Sequence, residues 1–255
     1  MEKEEIRRYG LNLGADVVGF AASSDYTSER TPALDTILPG VKSLVVLGYR
    51  ENHGSNESEN MRIAMGGRLA GMDFALANNY QMTRFIEKKT KTKAAPVAPS
   101  YPLNMEPPVM GMFADVSLRH AALAAGLGNF GRNNLIISPE YGSQIVFTAI
   151  LTELPLSSDP PVTENLCNDC GQCVDSCPAG ALAEEGKTDM LKCLKSSQPY
   201  GIMRTMRYMS KFIGATPDEQ KALLRDPVLL SIYQAQFIGF QYHCFKCIAV
   251  CPACQ

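Results

Sequence analysis

The chain has 255 residues, 45% of them apolar, with 24 Lys and Arg against 26 Asp and Glu. That length allows one large domain or two smaller ones, and near-neutrality offers no overall electrostatic case for nucleic acid. No apolar run approaches the ~18 residues that span a bilayer, so a membrane role is not expected.

Residues 2–13 carry an amphipathic helical pattern, stopped at Gly14. Ala15 to Ala22 and Val41 to Tyr49 read as buried strands, the second holding Leu44-Val45-Val46-Leu47. Residues 23–40 between them are polar loop. Residues 51–60 are a hydrophilic loop in which His53 is most simply solvated. The next helix is expected over Met72 to Lys91, ending in a solvated charge run, with Gly66, Gly67 and Gly71 as its entry. Residues 94–112 hold five prolines and read as a long extended connection, a class of segment that is often functional.

Ser117 to Ala125 reads as a short helix with Ser117 as its cap. Gly126 to Gly131 is formally G-x-G-x-x-G, yet a dinucleotide fingerprint follows a strand and opens a helix. Here a helix precedes and a strand is expected over Asn133 to Ser138, so no nicotinamide site is expected. The glycines predict a tight turn or a close backbone approach to a ligand. Gln144 to Leu154 is a strand rich in β-branched residues, and Leu229 to Phe240 is apolar enough for a buried helix. Pro155, Pro160 and Pro161 mark a boundary, which divides the chain into residues 1–157 and 158–255.

The nine cysteines carry the chemistry. Cys167, Cys170, Cys173 and Cys177-Pro178 form C-x2-C-x2-C-x3-C-P, the bacterial ferredoxin run for a [4Fe–4S] cluster, whose fourth cysteine ligates a second cluster. Cys244, Cys247 and Cys251-Pro252 repeat that run without its leading cysteine, and Cys193 fills the gap. The spacing assigns Cys167, Cys170, Cys173 and Cys251 to one cluster and Cys177, Cys193, Cys244 and Cys247 to the other, leaving Cys254 over. Zinc also takes paired C-x2-C, but its sites seldom carry C-x3-C-P twice. Disulfides fit poorly with a charged amino terminus that is no signal peptide, and a cytoplasmic location is expected.

Residues 119–156, with Arg119-His-Ala-Ala-Leu-Ala-Ala-Gly-Leu-Gly-Asn-Phe-Gly-Arg-Asn-Asn-Leu135 and Leu151-Thr-Glu-Leu-Pro-Leu156, resemble the superfamily of epoxyqueuosine reductases and reductive dehalogenases. So do the two cysteine runs, Gly14 to Gly19, and Lys42 to Leu47. The resemblance implies an α/β fold class: a nitroreductase-like amino-terminal α/β domain that holds cobalamin, and a ferredoxin-like carboxyl-terminal domain whose two [4Fe–4S] clusters feed it electrons. Neither the helical-repeat extension of many epoxyqueuosine reductases nor a twin-arginine leader is expected. The reductases place an acidic Asp before the Gly-Leu-Gly turn, which points to Asp115; the dehalogenases use a Tyr as proton donor, which points to Tyr101. Gly126, Gly128, Gly131, Tyr141 and Gly142 are the expected cobalamin contacts.

The expected function is a corrinoid-dependent reductase of a small organic substrate, served by an external donor such as ferredoxin or flavodoxin. Charge speaks against nucleic acid, although the resemblance leaves tRNA open, and a homodimer is compatible with the sequence. The alternative is an electron-transfer or reductive-activation protein without cobalamin of its own.

Overall fold

The computed structural model describes residues 3–99, 104–107, 109, 111–239 and 241–254. In chain order the first elements are α1 (Lys3–Asn12), β1 (Val17–Ala22), α2 (Leu34–Ile37), β2 (Ser43–Arg50), α3 (His53–Asn56) and α4 (Met61–Thr90). Then follow β3 (Ala94–Val97), α5 (Leu118–Ala124), β4 (Asn129–Phe130), β5 (Ile136–Ile137) and β6 (Ile145–Thr152). The remainder is helical: α6 (Gln172–Asp175), α7 (Met190–Ser197), α8 (Ile202–Ile213), α9 (Pro217–Leu223), α10 (Pro227–Tyr233) and α11 (Lys246–Ala249).

Four strands form one antiparallel sheet in the order β1-β2-β6-β3. Central β2 shows why its apolar run is unbroken. Val45, Leu47 and Tyr49 pack with Ile6 of α1 and Ala75, Met82 and Ile86 of α4. Leu44 and Val46, on the other face, pack with Ala121 and Ala122 of α5. A strand covered on both faces has no polar side to show. The fold is thus a mixed α/β layer structure, with helices on both sides of an antiparallel sheet.

Several boundaries differ from the sequence reading. Helix α4 begins eleven residues before the expected Met72, capped by the Asn60 side chain, which accepts from Arg62 N at 3.1 Å. Gly66, Gly67 and Gly71 therefore lie inside the helix. Each glycine costs about 1 kcal/mol against alanine, but Gly67 is required: a Cβ there would meet Ser55 Oγ at 2.3 Å. His53 opens the short helix α3, half-buried, and is not on a loop. The start of the proline-bearing connection is an edge strand, β3, where Pro96 lacks the N–H that an edge can spare. The stretch from Leu229 to Gly239 is no buried helix, and Phe240 lies outside the described residues: α10 passes into a π-turn, and Leu230, Tyr233 and Phe237 are 64%, 52% and 78% exposed.

Residues 157–159 are clamped to the edge of the sheet. Asp159 accepts from Arg7 Nη2 at 3.1 and 3.2 Å and from Phe20 N at 3.1 Å, and Ser158 Oγ accepts from Ala22 N at 2.8 Å. Phe20 beneath this clamp is fully buried, with Arg7 Cζ 4.9 Å from its ring centroid. Phe20→Ala is expected to lose about 3–5 kcal/mol of stability, read from anaerobic denaturant unfolding; a loss under about 1 kcal/mol would show that this corner collapses freely.

Candidate metal centre

The β4–β5 hairpin carries the tip that joins the sheet layer to the cysteines. Asn134 takes a left-handed φ of 59°, and Gly131 N donates to Leu135 O at 2.8 Å, so three polar residues project from one tight turn. Arg132 N donates to Cys167 Sγ at 3.4 Å, Asn133 Nδ2 to Cys247 O at 3.3 Å, and Asn134 Nδ2 to Thr188 Oγ1 at 3.1 Å. One turn thereby touches both cysteine runs.

Cys167, Cys170, Cys173 and Cys251 line a single cavity of about 150 Å³, together with Arg132, Asn133 and Pro252. Cys251 is far from the others in sequence and is brought to them because α11 packs against α6. The remaining four thiols form a second neighbourhood. Burial, and then the charges of Cys244, Cys193, Cys177 and Cys173, push the Cys247 thiol up to about 12. Burial also raises Cys193, with Cys244 and Cys177 adding to it. Cys177 Sγ accepts from Ala181 N at 3.3 Å. Among the described residues, no three His, Cys, Asp or Glu groups close on a single-ion site. Thiols spread around a cavity fit a multi-iron cluster better than a tetrahedral zinc ion, whose sulfurs stand about 2.3 Å from one centre.

The other expected site residues are more scattered. Asp115 is exposed, two residues before the α5 cap; the cap itself is Ser117, whose side chain accepts from His120 N. Tyr101 lies outside the described residues. Tyr141 lies under Arg50, with Cζ 6.0 Å from its ring centroid, and Gly142 closes a turn by donating to and accepting from Ser138 at 3.0 and 2.8 Å. Added Cβ atoms would meet Pro160 O at 2.2 Å from Gly126, Ile137 O at 2.2 Å from Gly128 and Ile137 Cδ1 at 2.5 Å from Gly131. Chain-on-chain packing accounts for the missing side chains there. Open glycine faces lie elsewhere: nothing stands within 4 Å of a Cβ built on Gly54, Gly66 or Gly71.

Arg68 and Glu51 were not singled out by sequence, since neither belongs to a motif. Arg68 Nη2 donates to Glu51 Oε2 at 2.8 Å, and its Cζ stands 5.1 and 5.6 Å from the ring centroids of Phe245 and Tyr242, beside Cys244. Burial raises the Glu51 pKa and outweighs the opposing pull of Arg68. The folded state then holds the proton more tightly than the unfolded state, so this group's contribution to stability falls as pH rises through that window. Arg68→Met strands the carboxylate and is expected to lose about 3 kcal/mol near neutral pH, the loss shrinking on acidification as the carboxylate takes up its proton. A loss independent of pH, in melts from neutral to acidic pH, would show that the arginine acts only through its ring contacts.

Residues 162–182 match the family model described as a 4Fe-4S binding domain. The epoxyqueuosine reductase of Bacillus cereus is 22% identical over 272 residues, covering 98% of this chain and 64% of the relative. The chain is a homologue of the epoxyqueuosine reductases. It spans just under two thirds of their length, 64% in that case. Among solved structures, an epoxyqueuosine reductase with an epoxyqueuosine-modified tRNA stem loop superposes at a TM-score of 0.59, 20% identical, covering 98% of this chain and 64% of that one. A catabolic reductive dehalogenase superposes at 0.58, also 20% identical, covering 76% of this chain and 29% of that one.

These likenesses place the mixed α/β fold and its ferredoxin-like motif with both groups, and the relatives are oxidoreductases by name. The expectation of a small-molecule substrate, with nucleic acid disfavoured on charge, is corrected: the matching reductase was solved with a tRNA stem loop. Net charge averages over a whole surface, whereas phosphate contacts need only a local cationic patch. Among the described residues no helix is long and apolar enough to cross a membrane.

Proposed function

We propose that the chain is an iron–sulfur reductase that acts in the cytoplasm on a modified nucleoside of tRNA, with cobalamin as the group that meets the substrate. The observation that carries the iron–sulfur part of this reading is the cavity ringed by Cys167, Cys170, Cys173 and Cys251; the tRNA part is supported by the likeness to the reductase solved with a tRNA stem loop. Cys177, Cys193, Cys244 and Cys247 hold the second cluster, and the chain divides functionally near residue 157 into a sheet layer and a cluster-bearing part. Bound cobalamin supplies a low-valent cobalt for two-electron chemistry, as cofactors carry such steps and the protein orients them. Open space at Gly54 and Gly66 leaves room for a ligand beside α3 and α4, and α3 lies against α11 of the second cysteine run. The chain's own part is to relay single electrons through the thiolate-held clusters, to exclude water, and to deliver a proton from Asp115 or Tyr101.

The test is acid extraction of anaerobically purified protein with mass spectrometry, alongside binding of an epoxyqueuosine-modified tRNA stem loop. A corrinoid near one equivalent and saturable binding are expected. Iron without corrinoid, even after incubation with cobalamin, would support the electron-transfer alternative.

A further inference from the structure

Two arginines stand beside the two cysteine sets, and their surroundings differ. Arg68 faces the rings of Tyr242 and Phe245, which flank Cys244 in the chain, and is neutralised by the buried Glu51, whose side chain is 8% exposed. Arg132 lines the cavity of Cys167, Cys170, Cys173 and Cys251 itself. Its Nε lies 3.8 Å from Asp169 Oδ1, a carboxylate 72% exposed and therefore screened by water, while the arginine is 17% exposed. The guanidinium is held by the carbonyls of Glu184 and Ala183 at 3.2 and 3.4 Å, groups that orient a cation without cancelling its charge. The same residue's backbone N–H points at Cys167 Sγ.

Reduction of a [4Fe–4S] cluster, 2+ to 1+, adds one electron to a site that four thiolates already make anionic. Nearby cations and hydrogen bonds to sulfur favour the reduced state, and so does solvent exposure. Cys170 is exposed, whereas Cys193 and Cys247 are not.

We propose that Arg132 sets the reduction potential of the cluster held by Cys167, Cys170, Cys173 and Cys251, and keeps it above that of the second cluster. Asp169, its ion-pair partner, tempers the effect. The inference rests on the two-cluster reading and assigns this chain's electron order within it: the Arg132 cluster accepts first when electrons are limiting. Arg132 is a positioning and tuning residue, since it reaches the iron only through its field and a thiolate.

The test is a dithionite redox titration followed by electron paramagnetic resonance on reconstituted protein, comparing wild type with Arg132→Gln, Arg132→Lys and Asp169→Asn. Cys251→Ser, which retains only the second cluster, identifies which midpoint is which. Arg132→Gln is expected to move the first cluster's midpoint negative and leave the second in place. Asp169→Asn should move the same midpoint positive, and Arg132→Lys should stay near wild type. Opposite signs at the two positions are a signature that a merely structural role does not produce. Unmoved midpoints, both clusters shifting together, or a first cluster lying below the second would overturn the assignment. Should Arg132→Gln lose its iron, the exposed Asp169→Asn still decides by the sign of its shift. Iron near four per wild-type chain would instead overturn the two-cluster reading beneath it.

Discussion

Cys251→Ser is expected to lower the iron content from about eight to about four per chain, and Cys167→Ser should do the same. The double variant should lose no more than either single one, because both residues ring one cavity. Cys167→Ser with Cys177→Ser should lose nearly all the iron, although those residues lie in one short run. Non-additivity within a unit, and additivity between units, is the general mark of shared sites. Under a local arrangement, with each run holding its own cluster, the two double variants would exchange results. Iron and acid-labile sulfide per chain after anaerobic reconstitution distinguish the two.

The second large effect is at the turn after α5. Gly126 has φ of 68°, and a Cβ there would stand 2.2 Å from Pro160 O, a backbone atom that cannot rotate away. Gly126→Ala combines left-handed strain with overpacking and should lose roughly 3–5 kcal/mol, a large part of the 5–15 kcal/mol typical of a folded domain. Gly186 has the same φ of 68° with nothing within 4 Å of its added Cβ. Gly186→Ala should lose only about 1 kcal/mol, so the difference between the two isolates the contact with Pro160. Equal losses, measured by denaturant unfolding under anaerobic conditions, would place the whole effect in the backbone dihedral.

The strands were legible because burial on two faces leaves a continuous apolar run, as in Leu44 to Leu47. The start of α4 was not, because three glycines argue against a helix locally while packing against Ser55 and the sheet decides for one. The first cysteine run was legible as a cluster motif from its spacing, and Cys251 shares a cavity with Cys167, Cys170 and Cys173. The tip Arg132-Asn133-Asn134 was visible only as a piece of a resemblance; its hydrogen bonds to Cys167 and Cys247 depend on a hairpin that sequence does not pair. Arg68 and Glu51 are ordinary helix and loop charges until folding buries them together. The Gly126 to Gly131 turn was read correctly as helix-then-strand, but its glycines serve Pro160 and Ile137. The apolar stretch from Leu229 misled because apolar content does not say which face a neighbour covers.

The most direct measurement of the central claim is the metal content of anaerobically reconstituted protein, with iron, sulfide and zinc counted together and the reduced state examined by electron paramagnetic resonance. Two clusters predict about eight irons and eight sulfides per chain, negligible zinc, and two interacting paramagnets on full reduction. Iron near four, or zinc at one or two equivalents, would contradict it.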